Sequence, residues 1–108
     1  MVTLQDVKRA NPKWFAPGQA EFFGDLRYFI RHDKSGDAYL IRETEAWTDM
    51  FDGIKKRHFC INPLDQDTLK IKSLVRGSDN LPRRFRDMED VEEWLEEETD
   101  KEVSDGQL

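Results

Sequence analysis

This chain has one cysteine, two histidines and no long apolar run, and each scarcity closes off a class of function. A lone Cys60 makes no intramolecular disulfide, so the sequence predicts a reducing, cytoplasmic setting. No stretch approaches the ~20 apolar residues of a membrane-spanning helix. The start, Met1-Val2-Thr3-Leu4-Gln5-Asp6, lacks the apolar stretch of a signal peptide. The six glycines are scattered turn residues, and they form no phosphate-binding loop, dinucleotide fingerprint or nucleophile elbow. His32, His58 and Cys60 are the only soft or borderline metal ligands, with no second pair to complete a four-ligand zinc site. No metal or other cofactor is therefore expected.

Nucleophilic catalysis has one candidate. His58 and Cys60 stand two apart on a predicted strand, project to the same face and invite a Cys–His dyad. The strand register derived below sets Glu45 opposite Cys60, and a neighbouring carboxylate raises a thiol pKa. No nucleophile–base–orienter set can be assembled, so the reading is a protein without catalytic residues. A cleft with convergent polar groups would reopen that question.

What the chain has is charge, unevenly placed. Residues 87–108 hold 11 of the 23 acids against one base, Lys101, a net −10. Residues 1–86 carry a net +4, which together give the formal −6. Such asymmetry points to an interaction surface or tail. The 108 residues suit one domain with a modest core, and an aromatic content of 11% argues against disorder throughout. The expected organisation is a single α+β domain over residues 1–98 and a disordered acidic tail over 99–108.

The fold follows from local signals. Thr3 and Asp6 form a capping-box variant that opens a short helix, and Asn11-Pro12 stops it. An aromatic connector follows, Trp14-Phe15 to Phe22-Phe23, with Pro17-Gly18 in the central positions of a turn. It is expected to wrap over the core. Asp33-Lys34-Ser35-Gly36-Asp37 is a three-residue hairpin loop ending in a left-handed Gly. Pairing Asp33 with Asp37 sets Ile30 opposite Leu40, Tyr28 opposite Arg42, Leu26 opposite Thr44 and Arg27 opposite Glu43. Asp52-Gly53 marks a second, two-residue turn, which sets Asp49 opposite Lys56, Trp47 opposite His58 and Thr44 opposite Ile61. These registers place Leu26, Tyr28, Ile30, Leu40, Thr44, Ala46, Phe59 and Ile61 on one core face. Arg42 lands there too and needs a partner.

Residues 69–75 read as a fourth, lysine-bearing edge strand. Asp87 caps a last helix with Met88, Val91, Trp94 and Leu95 on its apolar face and acids on the others. The predicted fold is a three- to four-stranded antiparallel meander, with the N-terminal helix and the acidic C-terminal helix packed on one face.

Two surfaces suggest partners. The acids Glu92, Glu93, Glu96 and Glu97, with exposed parts of Trp14 and Trp47, are candidates for binding a host protein. The same acids read blandly are the solvated side of a docking helix. Lys55, Lys56, Arg57, Arg83, Arg84 and Arg86 are the alternative, a phosphate-binding surface that the acidic C-terminus would shield. No membrane and no small-molecule substrate is expected.

The segments Trp14-Phe15, Phe22-Phe23-Gly24-Asp25, Ala46-Trp47-Thr48-Asp49-Met50-Phe51, Ile61-Asn62-Pro63-Leu64-Asp65 and Glu93-Trp94-Leu95 together resemble short uncharacterised proteins of phages and bacterial mobile elements. The resemblance implies a small non-enzymatic protein that binds or inhibits a host macromolecule, and it transfers no catalytic residue.

Overall fold

The computed structural model describes residues 1–48, 55–77 and 79–97, except the side chains of 46–48 and 55–56. Helix α1 (Leu4–Ala10) and the short α2 (Gln19–Phe23) precede three strands, β1 (Asp25–His32), β2 (Ala38–Thr48) and β3 (Lys55–Pro63). Helix α3 (Met88–Glu96) ends the described chain. The strands form one antiparallel sheet in the order β1-β2-β3, so the fold is α+β.

The termini of α1 and α3 form as their sequences dictate. Thr3 accepts from the Asp6 amide and Asp6 reaches back to the Thr3 amide, completing the capping box. Asp87 accepts from the Asp90 amide at 2.9 Å and caps α3. Asn11 does more than end α1. Its amide donates to the Val7 and Leu69 carbonyls and its Oδ1 accepts from the Ile71 amide. That side chain ties α1 to a segment some 60 residues away.

The first hairpin has the predicted register. Gly36 is left-handed (φ 90°), and Arg27↔Glu43, Tyr28↔Arg42 and Ile30↔Leu40 pair across β1 and β2. Asp33 locks the turn by accepting from the Ser35 and Asp37 amides, the Ser35 hydroxyl and the Tyr39 hydroxyl. Burial raises its pKa, but these bonds favour the anion more strongly and hold the carboxyl below its usual range. One departure occurs at the far end. A bulge between Asp25 and Arg27 pairs Asp25 with Thr44 and turns Leu26 out of the ladder, where it is exposed.

The second register differs from the prediction. Arg42 pairs with Cys60, Ile41 with Ile61 and Thr44 with His58, and a bulge separates Glu45 from Thr48. The predicted pairs Trp47–His58 and Thr44–Ile61 are thus displaced by three residues, and an odd displacement moves β3 side chains to the other face. The Asp52-Gly53 turn and the Asp49–Lys56 pair lie outside the described residues, as do the Ala46 side chain and the tail from residue 98. The register observed places Ile41 and Ile61 opposite each other, both fully buried.

This change splits the predicted core face in two. Tyr28, Ile30, Ala38 and Leu40 pack with Val7, Leu4, Phe15 and Leu64 on the α1 side. Phe59 and Ile61 pack with Phe29, Tyr39, Ile41, Phe85, Val91, Trp94 and Leu95 on the α3 side. The two terminal helices therefore cover opposite faces of the sheet, a correction to the prediction that both pack on one.

The expected fourth strand is also absent among the described residues. Leu69 takes a left-handed conformation (φ 62°), and the backbone nearby is claimed by the Asn11 and Asn62 side chains. Individual bonds, Lys72 N to Pro63 O, Val75 N to Ile61 O and the reciprocal Phe59–Phe85 pair, cover the edge of β3 instead.

Candidate interaction surfaces

The α1 face holds a buried ion pair at one end. Arg42, which follows Ala38 and Leu40 on one row of β2, meets Asp25 at 2.9 Å, with the two side chains 9% and 0% exposed. Asp25 also accepts from the Tyr28 hydroxyl at 2.7 Å, and Arg42 Nη1 reaches Asn62 Oδ1 at 3.4 Å. The Arg42 guanidinium lies 5.3 Å from the Trp14 ring centroid and 5.7 Å from that of Phe23. Arg42 thus finds its partner in Asp25, which the bulge in β1 brings opposite Thr44. Burial, with Asp25 and its bond next in order, pushes the Tyr28 phenol above its ordinary range.

Beside this pair opens a cleft of about 410 Å³. Arg42, Thr44, His58, Cys60 and Arg84 give it polar groups, and Phe23, Leu74 and Pro82 give it apolar ones, with Glu45 also on its lining. Thr44 Oγ1 and His58 Nε2 share a hydrogen bond of 2.8 Å. Burial pushes the His58 pKa down, and the guanidiniums of Arg84 and Arg42 push it further, so the ring is neutral at pH 7. Burial raises the Cys60 thiol, with Arg42 and Arg84 opposing. The expected Glu45–Cys60 juxtaposition is corrected by the register: Arg42 stands opposite Cys60, and desolvation is the main cause of its raised pKa. The thiol is protonated at pH 7 and is not an activated nucleophile. The Asp25 carboxylate is engaged by Arg42 and Tyr28, and it does not orient the imidazole. Chemically, these groups form a hydrogen-bonding floor.

The rim of the cleft is apolar and exposed. Helix α2 sits between two left-handed glycines, Gly18 (φ 89°) and Gly24 (φ 76°), and Pro17-Gly18 turns as predicted, with Gln19 N bonded to Ala16 O. Phe15 reaches the core, but Phe22 is 81% exposed and Phe23 is 44% exposed. The aromatic connector therefore wraps the core only in part. Phe23 stacks on Trp14 at 5.6 Å and meets Phe22 edge-on at 5.3 Å. Leu81, exposed as well, precedes the rim residue Pro82.

The second surface is α3. Val91, Trp94 and Leu95 are buried, which turns Glu89, Glu92, Glu93 and Glu96 outward, with Glu97 exposed at the C-terminal end. Glu92 lies 3.9 Å from Arg31 Nε. The acids thus share one ridge, but Trp14 lies on the opposite side of the sheet from them. The predicted set of Trp14 with Glu92, Glu93, Glu96 and Glu97 is not one surface. The Trp47 side chain is outside the described residues.

The basic candidates do not converge either. Arg57 reaches Glu43 at 3.8 Å on the α3 side of the sheet, and Arg83 lies over the Phe85 ring at 4.9 Å. Arg84 lines the cleft on the other side, and Arg86 is exposed beside α3. The side chains of Lys55 and Lys56 are outside the described residues. Sequence reasoning missed Asp25, Asn62 and Thr44 as parts of the cleft network. The available signal was Arg42 on the row of Ala38 and Leu40, which called for a buried carboxylate nearby.

Among the described residues no helix is long and apolar enough to cross a membrane. Comparison with known proteins finds no matching family model, no matching curated protein and no matching solved structure.

Proposed function

We propose that the chain is a small non-enzymatic binding or inhibitor protein, of the phage or mobile-element kind, that engages a host protein through the acidic ridge of α3. The observation that supports this reading is the anchoring of the helix. Three buried apolar side chains fix it against the sheet, so its acids stand as a preorganised row. A preorganised row of carboxylates favours a partner with a basic groove and speeds its encounter. The nucleic-acid alternative has less support, because Arg57, Arg83 and Arg84 are divided between the two sides of the sheet.

Affinity capture from bacterial lysate with the wild type and an E92K/E93K/E96K variant tests the proposal. The wild type is expected to retain a distinct basic protein whose binding weakens with salt, and the variant to lose it. Equal retention by both, or no distinct partner for either, would remove the acidic ridge from the account.

A further inference from the structure

We draw no further inference here: the strongest candidate, the outer edge of β1 where Arg27 and Arg31 flank the Phe29 ring, carries nothing, because Glu43 answers Arg27, Glu92 faces Arg31, and nothing in the structure shows what covers that edge.

Discussion

The two faces of the sheet bury charge in different ways. On the α1 face the Arg42–Asp25 pair is almost wholly withdrawn from water. On the α3 face Glu43 is equally buried, but the arginines that answer it, Arg27 and Arg57, are 63% and 67% exposed. A guanidinium left in solvent keeps most of its hydration, so the Glu43 cluster has only one ion to desolvate. The Arg42–Asp25 pair desolvates both and must recover that cost through geometry, with Tyr28, Asn62 and two aromatic rings completing its shell. The apolar packing differs to match. The α3 face is closed by a contiguous cluster around Trp94, whereas the α1 face is closed by hydrocarbon at one end and by ions at the other.

The largest effect should come from splitting the buried pair. R42M leaves Asp25 buried without its cation and is expected to cost about 3–5 kcal/mol in urea unfolding. Adding D25N, which removes the charge but keeps an acceptor for Tyr28, should recover the larger part of that loss. A double variant as unstable as R42M alone would mean that the guanidinium acts through packing on Trp14 and Phe23 rather than through charge.

A truncation on the other face should act independently. L95A is expected to cost about 2–5 kcal/mol, the range for a buried Leu. Combined with R42M/D25N, its effect should add within about 0.5 kcal/mol, because no side chain is shared between the two clusters. Strong coupling would mean that the faces are not separate units.

The smallest effect is a pH dependence confined to the cleft. The folded His58 pKa lies below its ordinary 6.5, so the unfolded chain binds a proton more readily than the folded one. His58 therefore imposes no penalty above about pH 6.5 and removes stability as pH falls through and below that value. H58Q should flatten the loss between pH 7 and pH 5. An unchanged slope would place the titrating group elsewhere.

Much of the molecule was legible wherever a local signal and a tertiary requirement agreed. The first hairpin was fixed by a loop whose Gly and flanking aspartates determine its length, and cross-strand charges such as Arg27 with Glu43 support the same register. The helix ends were legible because Thr3, Asp6 and Asp87 cap by chemistry that works over three residues. The β2–β3 register was not. A bulge between Glu45 and Thr48 leaves no periodic trace, and it breaks the inference from turn to strand. The cleft was lost with that register, since it brings Thr44 to His58 and Arg42 to Cys60. Residues 69–75 had the alternation of a strand, but their backbone is committed to Asn11 and Asn62, contacts that no local pattern announces. The exposure of Phe22 and Phe23 was hidden for a related reason, because aromatic residues next to each other in sequence were assumed to be covered together.

The central claim is that β3 sits in the register that puts the cleft on one face of the sheet and the α3 core on the other. Cross-strand NOEs in the assigned full-length protein test it most directly. The structure predicts contacts pairing Ile41 with Ile61 and Arg42 with Cys60, with Ile61 also in contact with the α3 core. Contacts pairing Thr44 with Ile61 and Glu45 with Cys60 would contradict it, because they would return Ile61 to the α1 face and dissolve the cleft.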